Sequence, residues 1–331
     1  MSDKRTHRSN TMTDAAVEAA IAALESETAN PAEKVEMLLE MARRLQQKPE
    51  DAYPLQQACQ LYDLALAIAD LGSLDYGRAQ AGKATALRSL PEEGTTLLLA
   101  ARDLYEAALP ILAGQGSPEE RAEAQMNLGL VLQSLVPYGQ ARLADSIRLY
   151  QQAIEVFTGK SHPQEYAILQ NNIAIAYLSM TSQSGRDDLK QAIAVQTFEQ
   201  ALESIALIDH PSEYAMLQNN LGNALQYLPS AHPLDNLQRA VTAYDEALKV
   251  RTPRDTPLAY AHTIANRANA ILQMPDSLEE PEKGNPRHQQ QALVHYREAE
   301  EIFAAWGQIA QAEAARETRE AIAREQQPAE V

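Results

Sequence analysis

Residues 165–174 read EYAILQNNIA, and residues 213–222 repeat them almost unchanged as EYAMLQNNLG. Similarity that returns at an interval of about 20–50 residues is typical of repeat arrays, in which each unit stacks on the next. Stacked units bury one continuous core and leave an extended face for partners. The sequence therefore predicts an architecture and a mode of binding, although it does not identify the partner.

Two half-motifs alternate along the chain. The first ends in a small residue, at Ala84, Gly129, Ala174, Gly222 and Ala268. The second places a small residue four positions before an aromatic residue and another three positions after it, as in Ala58/Tyr62/Ala65, Ala101/Tyr105/Ala108, Ser146/Tyr150/Ala153, Ala194/Phe198/Ala201, Ala240/Tyr244/Ala247 and Ala292/Tyr296/Ala299. These spacings bring the three side chains to one helix face, where small residues let neighbouring helices approach closely. Six such helices predict six helix pairs, each with a first helix A and a second helix B.

Helix boundaries follow from proline and capping signals. Prolines preceded by Asn, Ser, His or Thr mark starts of A helices at Pro31, Pro118, Pro163, Pro211 and Pro257. We predict one solenoid domain over residues 13–326, with repeats at about 31–72, 73–114, 117–159, 162–209, 210–251 and 255–306. Stretches rich in Ala and Glu at 13–28 and 308–326 are predicted to form capping helices. Residues 1–12 are predicted to be a disordered tail, and residues 327–331 a second tail.

These motifs resemble the tetratricopeptide repeat family, in the long-repeat variant of kinesin light chains and of many bacterial proteins. The resemblance covers roughly residues 31–306 and implies an all-α, right-handed solenoid whose A helices line a concave groove. Two features differ from the short form of the repeat. The period is about 45 residues, against ~34, and glutamine replaces the helix-A tryptophan at Gln80, Gln125, Gln170 and Gln218. A period near 45 also fits armadillo or HEAT arrays, but those families lack the Ala/aromatic/Ala helix.

The composition excludes several classes of partner and compartment. The chain carries 28 basic and 45 acidic side chains, a net charge of −17, so it repels phosphate backbones and anionic lipid. We therefore expect neither nucleic acid nor membrane as a partner, and no apolar run approaches the ~20 residues of a membrane helix. The one cysteine, Cys59, forms no disulfide framework, which suits a reducing compartment. The cytoplasm is the expected location of this acidic protein.

Asparagine recurs at one place in successive A helices, although it is a poor residue for a helix interior. In the resembled family this face lines the groove, where such amides hold an extended peptide backbone. One amide donates to a carbonyl and accepts from an N–H at once. The predicted peptide-binding groove comprises Asn127, Asn171, Asn172, Asn219, Asn220, Asn223, Asn266 and Asn269, the apolar Ile168, Ile175 and Met216, and Arg78 and His262 at its ends. The alternative is that these asparagines bond to the next repeat or to loop backbone.

The seven histidines form no catalytic or metal-binding pattern in the sequence. His162, His210 and His232 each precede a proline, which is typical of turns. His295 and Glu298 lie one helical turn apart, but no second pair at metal-ligand spacing accompanies them. Phosphate-binding glycine loops, nucleophile elbows and Cys/His couples are lacking. We predict no enzyme activity, no metal and no cofactor.

The sequence favours a non-enzymatic adaptor or scaffold that captures an extended peptide segment of a protein partner in its groove. Two alternatives stay open. The chain is a structural subunit or assembly factor that uses its convex or end surfaces, or it is a peptide-responsive regulator. An exposed apolar patch outside the groove, larger than a few hundred Å2, would favour the subunit. The oligomeric state does not follow from the sequence.

Overall fold

The computed structural model describes Ala22 and residues 30–47, 49, 51–180, 187–229 and 232–325. Within these ranges the chain forms thirteen α-helices and two short 3-10 turns, and no strand. The helices group into two compact units, unit 1 within residues 1–157 and unit 2 within residues 158–331. The predicted all-α class is confirmed.

Unit 1 contains three consecutive helix pairs. Its helices are α1 (Pro31–Gln46), α2 (Tyr53–Ile68), α3 (Leu74–Ser89), α4 (Thr96–Gln115), α5 (Pro118–Leu135) and α6 (Leu143–Ile154). Each A helix packs against its own B helix, and each of α2 and α4 also packs against the next A helix. The A helices α1, α3 and α5 contact one another in order, so they share one face of the unit.

Unit 2 contains three further pairs and a final helix. Its helices are α7 (Pro163–Ser179), α8 (Asp187–Leu202), α9 (Pro211–Gln226), α10 (Pro233–Leu248), α11 (Pro257–Leu272), α12 (Pro286–Ala305) and α13 (Ile309–Glu325). The same packing recurs: A against B within a pair, B against the next A, and α7, α9 and α11 in contact along one face. The last helix, α13, packs on α12 and lies within the predicted C-terminal cap.

The predicted helix starts are confirmed, and the reason is local. Proline occupies the first turn of all five predicted A helices, where its missing N–H costs nothing. At α1 the Asn30 Oδ1 accepts from the Glu33 N–H at 2.9 Å, while the Glu33 carboxylate accepts from the Asn30 N–H at 3.0 Å. Ser117 and Glu120 form the same capping box at α5.

The aromatic of each B helix lies in the core, as the motif predicts. Tyr62, Tyr105, Tyr150, Phe198, Tyr244 and Tyr296 are all buried together with the small residues that flank them. The helix-A glycines explain the first half-motif, because a Cβ on Gly222 would lie 2.6 Å from the Tyr244 ring. A Cβ on Gly129 would overlap the Tyr150 ring in the same way. The two half-motifs are therefore the two sides of one contact.

Each predicted repeat span contains one helix pair, with α4 running one residue past its span. The predicted N-terminal cap at 13–28, apart from Ala22, and the two tails lie outside the described residues. The single solenoid domain over residues 13–326 stays a prediction. Within the described ranges no helix combines the length and the apolar composition that crossing a bilayer requires.

Candidate functional site

The A helices of each unit form a continuous face, here called the helix-A face, and the B-helix tyrosines reach it from below. Three of these hydroxyl groups donate to helix-A acceptors: Tyr62 to Gln46 Oε1 at 2.9 Å, Tyr150 to Gln133 Oε1 at 2.9 Å, and Tyr244 to Asn223 Oδ1 at 2.7 Å with Gln226 Oε1 at 3.2 Å. Each glutamine follows a small residue of its helix by four positions: Ala42, Gly129 and Gly222. Where the aromatic is Phe198, this position is Leu178. Sequence reasoning missed this pairing, although the i+4 glutamine was visible.

In unit 1 the helix-A face contains two adjoining hollows of about 260 and 530 Å3, here together called the charged recess. The inner hollow lies between α1, α3 and α5 and is lined by Arg43, Gln46, Tyr62, Arg78, Ala81, Gly82, Thr85, Leu112, Glu120, Glu123, Ala124 and Asn127. The outer hollow adds Asn30, Ala32, Glu33, Glu36, Leu39, Glu40 and Asp75. Two predicted groove residues, Arg78 and Asn127, therefore lie in one site.

Arg78 forms ion pairs with two carboxylates inside the charged recess. Its Nε donates to Glu120 Oε1 at 2.6 Å and its Nη1 to Asp75 Oδ1 at 3.3 Å. The hydrogen bond to Glu120 raises the pKa of Arg78. Burial opposes ionisation of Glu120, but hydrogen bonds from Arg78 and from the Ser117 N–H prevail and lower its pKa. This ion pair joins α3 to α5.

Asn127 is buried, with 8% of its surface exposed, and it lines the inner hollow. Its amide makes no hydrogen bond to any other residue that the structure describes. Although the residue is buried, its amide atoms reach the hollow and can bond to water or to a ligand there. The charged recess therefore contains an unused donor and an unused acceptor.

The asparagines of α7 and α9 are arranged differently. Asn219 Nδ2 donates to Asn220 Oδ1 at 3.1 Å, Asn220 Nδ2 to Asn171 Oδ1 at 2.8 Å, and Asn171 Nδ2 to Asn172 Oδ1 at 3.3 Å. We call this chain of side chains the amide ladder. Asn171, Asn172 and Asn219 are buried. Four predicted groove residues thus bond to one another across successive repeats, as the alternative in the sequence analysis states.

A polar pair extends the ladder into the sixth repeat. The Thr263 hydroxyl lies 3.2 Å from Asn219 Oδ1, and Arg251 Nη1 donates to Thr263 Oγ1 at 2.8 Å. Counted from the helix-starting prolines, Arg251 and Thr263 occupy the positions of Ile205 and Leu217 in the preceding repeat, which are core residues. Burial lowers the pKa of the Arg251 guanidinium. Sequence reasoning missed this pair, although both depart from the apolar pattern.

A second hollow, here called the amide recess, lies between α11, α12 and α13 of unit 2 and measures about 230 Å3. It is lined by His262, Ala265, Asn266, Asn269, Tyr296, Phe303, Gln311, Ala314, Ala315 and Thr318. Asn266 makes no hydrogen bond within the described part of the chain. Asn269 Nδ2 donates to the Tyr227 hydroxyl at 3.0 Å. Three predicted groove residues are thus brought together here.

The remaining predicted residues have smaller roles in these hollows. The His262 ring lies 4.7 Å from the Phe303 ring at the edge of the amide recess. Desolvation, and then the positive charge of Arg251, lower the pKa of His262 and favour its neutral form. Ile175 packs against the core of unit 2. Ile168 and Met216 are half-buried and line neither recess.

Reactive groups are sparse in the described ranges. No set of three His, Cys, Asp or Glu side chains there is arranged to hold a metal ion. Burial raises the pKa of the Cys59 thiol, which disfavours the thiolate that a nucleophile requires. Glu298 accepts from the Tyr260 hydroxyl at 3.1 Å, so it braces two helices. These contacts are structural.

Three solved structures share this architecture, and one of them is named for its tetratricopeptide repeat sensor. A STAND protein with a tetratricopeptide repeat sensor, from Pyrococcus horikoshii, matches 93% of this chain over 42% of its own length, at 14% identity and a TM-score of 0.64. The apo quorum sensor NprR from B. thuringiensis matches 96% of this chain and 94% of its own, at 13% identity and a TM-score of 0.54. BtubC (BKLC) from P. vanneervenii matches 82% and 92%, at 16% identity and a TM-score of 0.50.

This chain has a tetratricopeptide-like repeat fold. The similarity to the solved structures lies below 25% identity, so it establishes the fold alone. No protein-family model matches the sequence, and neither does any curated protein. The long period and the helix-A glutamines distinguish this repeat from the short form of the motif, as the sequence analysis states.

Proposed function

We propose that this protein is a non-enzymatic interaction module that holds an extended peptide segment of a partner protein on its helix-A face. One observation supports the proposal. Asn127 in unit 1 and Asn266 in unit 2 occupy the same repeat position, two residues before the small residue of helix A. Each lines a recess, and neither bonds to another residue in the part of the chain that the structure describes.

The chemistry of an extended peptide suits these side chains. Its backbone presents a carbonyl and an N–H at every residue, and one asparagine amide donates to the first while it accepts from the second. Asparagine costs up to ~0.7 kcal/mol relative to alanine within a helix, so an unpaired one gives the folded chain nothing in return. A bound backbone would supply the missing partners. Packed helices hold the surface in place beforehand, which limits the ordering cost of binding.

The proposal also specifies the partner class and the location of the protein. The partner is a protein or peptide, bound without a cofactor. The cytoplasm is the proposed location, because the chain has a single cysteine and suits a reducing compartment.

A random-peptide display selection against the full chain tests the proposal, followed by affinity measurements on variants. Ala314 is exposed on α13 and lines the amide recess, so Ala314→Trp should fill it and weaken recess-binding peptides by about 100-fold. Asn266→Ala and Asn127→Ala each remove one amide, and each should weaken peptides bound at its own recess by about 2- to 10-fold.

Ala321→Trp is the matched control, since Ala321 is exposed on the same helix and does not line the recess. Binding to this control should equal binding to the unmodified chain. Selected peptides whose affinity is unchanged by Ala314→Trp, Asn266→Ala and Asn127→Ala would place their contacts elsewhere and refute binding on the helix-A face.

A further inference from the structure

We infer that the charged recess of unit 1 selects a partner segment that carries lysine or arginine. This inference rests on the proposed function and specifies its partner for one of the two recesses. It depends on three features of the recess: an excess of carboxylates, the commitment of its arginine, and a buried amide without a partner.

Carboxylates outnumber cations around the recess. Along α1, Glu33, Glu36 and Glu40 follow spacings of three and four, so they lie on one helix face. Asp75 faces them from α3, and Glu120 and Glu123 from α5. Against these six carboxylates the lining holds only two basic residues, Arg43 and Arg78. The recess therefore repels an acidic segment and attracts a basic one.

Internal ion pairs do not remove this excess. Arg78 is shared between Asp75 and Glu120, so one cation serves two carboxylates. Glu40 pairs with Arg44, but both side chains are largely exposed and the pair is screened. Glu36 has no ion-pair partner within the described ranges. Negative charge is left at the rim of a concave surface, where low-dielectric walls concentrate the field.

The base of the recess suits a long cationic side chain. Tyr62, Leu112 and Ala124 line it beneath the carboxylates. Lysine and arginine bury their aliphatic stems against such apolar surface and keep the charged end near the polar rim. Asn127 adds the second observation, because it is more than nine-tenths buried and its unpartnered amide lines the same hollow. Asn127 can therefore bond to the backbone of the bound segment, while the carboxylates attract its basic side chains.

Fluorescence anisotropy with defined peptides provides the test. The probes are fluorescein-labelled peptides of about ten residues, long enough to extend over about 33 Å, in which alanine alternates with lysine, glutamine or glutamate. At about 0.15 M salt the full chain should bind the lysine peptide at least about tenfold more tightly than the glutamine peptide. The glutamate peptide should bind more weakly still.

Two variants that lose the same charge at different places distinguish binding in the recess from attraction to the acidic protein as a whole. Glu36→Gln/Glu123→Gln removes one carboxylate from each wall and should weaken the lysine peptide by about tenfold. Glu106→Gln/Glu155→Gln removes the same charge from exposed positions of unit 1 outside the recess, and should leave binding unchanged. Equal losses in the two variants would refute a basic site in the recess.

Two further outcomes bear on the inference. The N-terminal segment of the chain carries Lys4, Arg5, His7 and Arg8. Tenfold tighter lysine-peptide binding by Lys4→Ser/Arg5→Ser/Arg8→Ser would show that this basic segment competes for the recess, which supports the basic preference. Equal affinity for the lysine and glutamine peptides, with both weakened by Asn127→Ala, would refute the basic preference and leave the proposed function standing. Display-selected peptides whose affinity is unchanged by Ala314→Trp, Asn266→Ala and Asn127→Ala would instead refute the proposed function itself.

Discussion

Helix α5 of unit 1 and helices α7 and α9 of unit 2 carry asparagine at the same repeat position, yet these asparagines behave differently. Asn127 on α5 is unpaired and lines the charged recess. Asn172 and Asn220, its counterparts, belong to the amide ladder. The recurrence of a residue at one repeat position therefore does not define its role.

The neighbouring residue explains the difference. In α7 and α9 the asparagine follows a second asparagine, and the ladder bond crosses from Asn220 of one helix to Asn171 of the other. In α5 the preceding residue is Met126, and in α11 it is Ala265. Neither side chain can donate to the asparagine that follows it, whereas Asn171 donates to Asn172 and Asn219 donates to Asn220. Doublets build a ladder between repeats, in which only Asn172 Nδ2 is left buried without a partner, whereas the single asparagines make no such bond among the described residues.

Core substitutions at matching repeat positions should destabilise both units alike, and they should have the largest effect on stability. Leu128 and Leu221 each precede the helix-A glycine and are buried. Leu128→Ala and Leu221→Ala should each lower the free energy of unfolding by about 2–5 kcal/mol, because each leaves a cavity. Chemical denaturation measures both. Leu71→Ala, at a side chain that is 85% exposed, is the control. A core variant that behaves like this control would show that its repeat register is wrong.

Alkaline pH should also affect both units in the same range. Burial raises the pKa of Tyr105 in unit 1 and of Tyr296 in unit 2 from 10.0 to about 12. The neutral hydroxyl is favoured by folding, so the stability it contributes is complete below pH 10 and is lost as pH rises to about 12. Each shift corresponds to about 3 kcal/mol. Circular dichroism and tyrosinate absorbance, followed across this range, check the expectation. Ionisation of all 13 tyrosines near pH 10 with the circular dichroism unchanged would contradict it.

Substitution of the asparagines should change stability differently in the two regions, by a smaller amount than the core substitutions. Asn220→Ala leaves Asn171 Oδ1 without its donor and Asn219 Nδ2 without its acceptor, so we expect a loss of about 1–3 kcal/mol. Asn127→Ala breaks no internal hydrogen bond, and the higher helix propensity of alanine should leave stability unchanged or raise it by up to ~0.7 kcal/mol. Thermal and urea unfolding of this matched pair decide the matter. Equal changes in stability in the two variants would show that the amide ladder contributes no more to stability than the unpaired Asn127.

Sequence alone predicted the features that depend on one helix or on a short contact. Proline after an N-cap residue places the helix starts, and the small-aromatic-small spacing identifies the buried face, because both act within a single helix. The role of Asn171 could not be predicted in this way, since its partner Asn220 lies 49 residues away on another helix. The acidic face of α1 was visible in its spacing. That this face lies near Glu120 and Glu123 could not be predicted, because it depends on how the repeats stack.

The smallest expected effect concerns the hydroxyl pairing beneath the helix-A face. Tyr150 donates to Gln133, whereas the equivalent pair in the fourth repeat is Phe198 and Leu178. A double-mutant cycle of Tyr150→Phe and Gln133→Leu should give a coupling energy of about 0.5–1.5 kcal/mol, the net contribution of one hydrogen bond. Because the double variant reproduces the apolar pair that the protein already uses, it should be more stable than the sum of the single losses predicts. Urea titrations of the four proteins measure the coupling. Strict additivity would show that the glutamine four residues after the small residue is a solvent-facing choice and not a partner of the tyrosine.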